Sequence, residues 1–227
     1  MKKQILTILA LALITVSFTA CKNDAKNTDT LNEEVTEVAN DFRATDSGDL
    51  YTVKNANSSI AWEGSKPVGT HTGTIAINEG AVYIDKGAIT GGKFTIDMKS
   101  ITVTDLEAGD GKESLEAHLM GTVEGKEGDF FNVEKYPTAQ FVITAVKSEN
   151  GLTVLEGDLT IKDKTNPVSI PVTVEENKNA VMIKSEQFEI DRTQWGINYG
   201  SKSIFDNLGD KFIDDAMKLK VSIVAAK

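Results

Sequence analysis

His71, His118 and the carboxylates Asp97, Glu116 and Asp158 are the residues that could carry acid–base or metal chemistry in this chain. With the single cysteine, Cys21, at the far N-terminal end, a zinc site would need carboxylates to complete it, and no spacing favours that. Asp105, Glu107, Asp110 and Glu116 resemble a calcium loop, but the glycine falls one position late and the helix–loop–helix setting is missing. Gly87-Ala88-Ile89-Thr90-Gly91-Gly92-Lys93 has the spacing of a phosphate loop. It is followed by Phe94 where Ser or Thr is required, and it leads into a strand pattern rather than a helix. A Gly-x-Ser-x-Gly elbow and a recognisable Ser/His/Asp arrangement are both missing. The plainer reading of His71 is a rim residue with satisfied hydrogen bonds, and that of His118 a helix residue bonded to the neighbouring loop. The expectation is a protein that is not an enzyme, with no catalytic residue, no metal and no cofactor.

These residues are carried by a chain rich in two-residue alternation. Tyr51 and Val53 open it. Ile60 and Trp62, then Gly73, Ile75 and Ile77, form the arms of a hairpin from Ser59 to Ile77, broken by the turn residues Gly64 to Gly69. Asn78-Glu79-Gly80 and Asp85-Lys86-Gly87 read as turns around a short strand from Ala81 to Ile84. Phe94, Ile96 and Met98 alternate within a strand from Ala88 to Val103. Ile101 and Val103 continue one residue out of phase, which predicts a bulge near Ser100. Glu113 to Met120 reads as a short helix with Leu115 and Leu119 on one face. Strand patterns resume through Phe141 and Ile143, Leu152 to Ile161, Val168 to Val174, Val181 to Ile190 and Lys218 to Ala225. Arg192 to Gly200 lies between the last two. Short strands with turn signals between them predict an antiparallel all-β sandwich or barrel, and a barrel can enclose one small ligand.

The N-terminal segment has a different character. Lys2 and Lys3 precede the apolar run Ile5 to Phe18, which suits a secretory signal better than a membrane span. The ending Phe18-Thr19-Ala20-Cys21 resembles a bacterial lipobox, so Cys21 is the expected lipidation site. Losing residues 1–20 removes two lysines and no acids, taking the formal charge from −10 to −12. Residues 21–49 read as an acidic flexible tether. Leu31, Val35, Val38 and Phe42 allow a short amphipathic helix within it. The folded domain is expected over residues 50–227. The negative charge argues against nucleic acid as a partner. A homodimer is compatible with the sequence and has no support in it.

The motifs form an ordered series. After the Ser59–Ile77 hairpin come Gly91 to Met98 with Ser100-Ile101, then Glu116-Ala117-His118-Leu119, Asp129-Phe130-Phe131 and Tyr136 to Phe141. Gly157 to Ile161 and a turn from Thr165 to Val168 close it. In this order they resemble the YceI-like family of exported proteins over about residues 51 to 225. The resemblance implies an extended, lipocalin-like antiparallel β-barrel of about eight strands, with one or two short helices near its opening. It also implies an apolar cavity holding a long-chain lipid, in the family a polyisoprenoid or related amphiphile. The loop Gly121 to Gly128 is longer than in the shorter form of the family, and the stretch around Trp195 differs from many members.

On that reading Trp62, Phe94, Ile96, Met98, Phe141 and Trp195 are candidates for the cavity wall, with Leu119, Phe130 and Tyr199 as further ligand contacts and His71 at the rim. The plainer reading of each is ordinary core. Burying about twenty apolar carbons would gain roughly 16 kcal/mol at about 0.8 kcal/mol per methylene, of which ordering removes a large part. Binding then needs a dry interior rather than a catalytic group. The expected function is to bind, sequester or carry an isoprenoid or other long amphiphile at the bacterial cell envelope. The anchor would hold the protein at a membrane, outer membrane expected, on the periplasmic side or cell surface. The competing readings are a structural or stress-protective envelope lipoprotein with a filled core, and a lipid-modifying enzyme.

Overall fold

The computed structural model describes residues 42–149 and 151–227. The expected secretory signal, Cys21 and most of the expected tether, with Leu31, Val35 and Val38, lie outside the described residues. Among the described residues eleven strands and one α-helix follow in the order β1 (Phe42–Arg43), β2 (Asp49–Val53), β3 (Ser59–Lys66), β4 (Gly69–Asp85), β5 (Ala88–Val103), α1 (Lys112–Met120), β6 (Thr138–Glu149), β7 (Leu152–Ile161), β8 (Lys164–Glu176), β9 (Ala180–Ser185), β10 (Phe188–Asp191) and β11 (Ala216–Ala226). Pairing therefore begins at Phe42, which lies opposite Val146 of β6.

The strands form one antiparallel sheet in the order β1-β6-β5-β4-β2-β11-β9-β8-β7, with β3 and β10 off this path and a further pairing between β6 and β7. The expected lipocalin-like barrel of about eight strands is corrected by this topology. The sheet has eleven strands, its path starts at β1 and does not return to it, and it branches. The branching comes from two strands that change partner along their length. β4 pairs its first half with β3 and its last residues with β2. β11 pairs in turn with β10, β3, β9 and β2. An up-and-down ring gives each strand two neighbours; here β2 and β3 share the space between β4 and β11.

Local chemistry accounts for most boundaries. The β4–β5 hairpin turns on Lys86 and Gly87, with φ of 50° and 83°, the left-handed pair that suits a tight hairpin. The phase slip in β5 is a bulge. Thr74 pairs with Thr102 but Ala76 with Asp97, and the Ser100 hydroxyl fills the gap by accepting from the Ala76 N–H at 2.7 Å and donating to the Asp97 carbonyl at 2.6 Å. Asn78-Glu79-Gly80, expected as a turn, lies within β4, where the register shifts between Ile77 and Glu79. The turn expected over Thr165 to Val168 belongs instead at Lys162, in the left-handed region at φ 57°, and Thr165 onward pairs with β7. The run Val181 to Ile190 is two strands rather than one.

The interior is solid at one end and hollow at the other. Tyr51, Val82, Ile84, Ile89, Ile143 and Val146 are buried against one another's cluster, and none of them borders the cavity described next. At that closed end the Tyr51 hydroxyl donates to Glu176 Oε1 at 2.7 Å.

Candidate functional site: an apolar cavity beneath the helix

The hollow end holds a cavity of about 420 Å³, within the size range of small-molecule sites. Alternate residues of the central strands form its wall: Ile75 and Ile77 from β4, Phe94, Ile96 and Met98 from β5, and Ala139 and Phe141 from β6. They share a face because alternation along a strand puts every second side chain inward. Leu115, His118 and Leu119 of α1 border it as well. The helix is tied down by hydrogen bonds at its middle and near its C-terminal end. Glu116 Oε1 accepts the Val103 N–H at 2.8 Å, and the Phe131 N–H donates to the Leu119 carbonyl at 3.1 Å.

Trp62, His71, Phe94, Ile96, Met98, Leu119, Phe130, Phe141 and Tyr199 are all brought together along this wall. Trp195 is not among the lining residues. It is buried in the core, where its Nε1–H donates to the Leu159 carbonyl at 2.9 Å.

His118 and His71, which border the cavity, are each held by a carboxylate behind it. His118 Nε2 lies 2.7 Å from Asp129 Oδ2. Its ring meets Phe130 edge-on at 5.1 Å and Tyr199 at 4.9 Å, so one imidazole links α1 to two loops. His71 Nδ1 lies 2.9 Å from Asp105 Oδ2, and the Thr72 N–H donates to the other Asp105 oxygen at 2.8 Å. Burial opposes ionisation of Asp105, but the Thr72 and His71 hydrogen bonds prevail and hold its carboxyl below the usual carboxylate value. Stability from a lowered carboxylate is fully present above its unfolded-state pKa, near 3.9, and is lost as pH falls through the lower folded-state value. The stability gap between wild type and Asp105→Asn, from urea melts at a series of pH values, is therefore expected to be constant above about pH 5 and to shrink below about pH 4. A gap that stays the same down to the acid transition would show that this contact does not favour the ionised form.

Arg192 is the residue whose role the sequence reading missed. It is 1% exposed and borders the cavity. Its guanidinium donates to three carbonyls, Asp214 at 3.0 Å, Ile197 at 2.7 Å and Ile213 at 2.9 Å, and lies 3.5 Å from Asp215 Oδ1. Burial pushes its pKa down, while Asp215, Asp191 and Asp214 oppose that. The available signal was alternation: Arg192 stands two residues after the buried Ile190, on the same face. Among the described residues no group of three or more His, Cys, Asp or Glu side chains is placed to hold a metal ion.

A model of the YceI-like domain matches residues 51–225. The chain belongs to the YceI-like family. A UPF0312 protein of Photorhabdus laumondii is 52% identical over 40 residues, 18% of this chain and 21% of that protein. A UPF0312 protein of Pseudomonas aeruginosa is 34% identical over 80 residues, 35% and 42% of the two chains. The chain thus spans less than half the length of these curated relatives. Among solved structures, Burkholderia cenocepacia BcnA superposes with a TM-score of 0.57 at 24% identity, covering 76% of this chain and 99% of that one. A polyisoprenoid binding domain from Saccharophagus degradans, implicated in plant cell wall breakdown, gives 0.54 at 12% identity, covering 78% and 97%. At these identities the likenesses concern the fold of this YceI-like chain.

Proposed function

We propose that this YceI-like protein binds a long-chain isoprenoid or other amphiphilic lipid in its cavity and sequesters or carries it at the bacterial cell envelope. The observation that carries this reading is the 420 Å³ chamber walled by alternating apolar side chains. A largely apolar chamber of this kind gains affinity from each methylene it takes up, about 0.8 kcal/mol apiece, and calls for no catalytic group. The name of the Saccharophagus degradans domain, which specifies polyisoprenoid binding, supports the same ligand class. Trp62, His71, Phe94, Ile96, Met98, Leu119, Phe130, Phe141 and Tyr199 would contact the ligand, and Trp195 would support the wall from behind. Cys21 would carry the acyl anchor, with a signal over residues 1–20. Anchoring and chamber together would place the ligand beside the membrane that supplies or receives it.

Native mass spectrometry of the full chain, with extraction and identification of whatever lipid it carries, tests the proposal. The expected spectrum contains an adduct of lipid mass that disappears after extraction and returns on adding an isoprenoid. A chain that carries no lipid and takes up none from an added excess would sink the reading.

A further inference from the structure

The chamber is apolar on its floor and polar at its lip. Phe141 of β6, Leu155 and Leu159 of β7 and Ile170 of β8 line the floor. The polar lip comes mainly from two segments, the end of β3 with Glu63, Ser65 and Lys66, and the loop before β11 with Lys211 and Asp214. The two segments are joined where the Asp214 N–H donates to the Ser65 carbonyl at 2.8 Å.

Most of the charge around the chamber is already engaged. Lys218 Nζ lies 2.8 Å from Glu63 Oε1. Three carbonyls and Asp215 take up the Arg192 guanidinium, and Asp105 and Asp129 hold His71 and His118. The Asp214 carboxylate favours the charged forms of Arg192 and Lys218. Lys66 and Lys211 differ from these. Both are exposed, both border the chamber, and neither Nζ has an ion-pair or hydrogen-bond partner among the described residues.

An exposed lysine is commonly no more than solvated surface. These two stand on joined segments at one end of an apolar chamber, where lysine stems can lie along the wall while the ammonium groups stay in water. An ammonium is a compact point charge that pairs with phosphate or carboxylate. Ligand sites take their orientation from a small number of placed polar groups.

We infer that Lys66 and Lys211 hold the acidic head of an anionic amphiphile, a phosphate or carboxylate, whose apolar chain runs inward to Phe141 and Leu159. The pair sets both the orientation of the ligand and the preference for an acid over a neutral lipid. This rests on the lipid-binding reading above.

Three probes with one chain separate the inference from that reading: geranylgeranyl phosphate, geranylgeranoic acid and geranylgeraniol. In calorimetric titrations of the full chain at low salt, at least one acid is expected to bind about five- to tenfold more tightly than the alcohol, and added salt should shrink that advantage. The acid that gains it identifies the head as phosphate or carboxylate. The double variant Lys66→Gln/Lys211→Gln should lose the advantage and leave the alcohol's affinity unchanged, and Lys66→Arg/Lys211→Arg should keep it. If wild-type protein binds all three probes alike, or the glutamine variant still prefers the acid, the inference falls and lipid binding stands. If wild-type protein binds none of the three, both fall.

Discussion

Arg192→Met is expected to destabilise the fold by about 3–5 kcal/mol, the range for removing one partner from a buried charged pair. The magnitude comes from what the guanidinium leaves behind. The carbonyls of Ile197, Ile213 and Asp214 each lose their donor, and a buried acceptor without a partner costs about 1–3 kcal/mol. Asp215 also loses the cation that, with Ser201 and Ser203, outweighs burial and keeps its carboxyl below the usual range. Methionine fills similar space, so little of the effect is a cavity. Lysine is a poor replacement, because one ammonium cannot span three carbonyls as the planar fork does. Urea unfolding would show a lower midpoint with an unchanged slope. A change below about 1 kcal/mol, the ordinary scale of a point substitution, would mean that the loops around residues 197 and 213 are held by something else.

Ala139→Phe carries the second large effect, on binding rather than stability. Ala139 is 2% exposed, lies opposite Ile96 and borders the cavity. A phenyl group there would take space that roughly three to four ligand methylenes would otherwise fill, at about 0.8 kcal/mol each. The expected loss of affinity for an isoprenoid is about a hundredfold. Overpacking a filled core costs about 1–3 kcal/mol; here the ring enters hollow space, so the unfolding midpoint should move little. Native mass spectra of the variant should show the lipid adduct gone from a folded chain. Retention of the adduct at wild-type level would place the ligand elsewhere.

The parts of this architecture legible in the sequence were those written in local periodicity. The bulge in β5 followed from Ile101 and Val103 falling out of phase with Phe94, Ile96 and Met98, and Ser100 has the hydroxyl that completes it. The helix followed from Leu115 and Leu119. Partner choice is not local, so the branching at β4 and β11 could not be read from alternation. Asn78-Glu79-Gly80 shows a related ambiguity, because residues that favour a turn also favour a bulge within a continuing strand. The cavity wall was legible because inward positions recur every second residue. Trp195 was misleading for a simple reason: its residue type says that it is inside, not whether it meets the hollow or the solid part of the interior. Arg192 was hidden by its type, since arginine is almost never fully buried unless paired, and its partners come from segments five to twenty-three residues away.

The last strand, β11, pairs with β2 and β3 near the beginning of the described chain and with β9 and β10 near its end. Val53 meets Ala225 and Ser59 meets Ser222. Contacts of such long sequence separation must meet the entropy of closing nearly the whole chain into a loop before they contribute anything, and folds dominated by them form slowly. As the polypeptide emerges, β2 and β3 have only β4 to pair with until Ala216–Ala226 is present. The chamber accordingly has no finished wall during synthesis. On the reading proposed above, a ligand would meet a complete wall only after the C-terminal strand has taken its place beside β2 and β3.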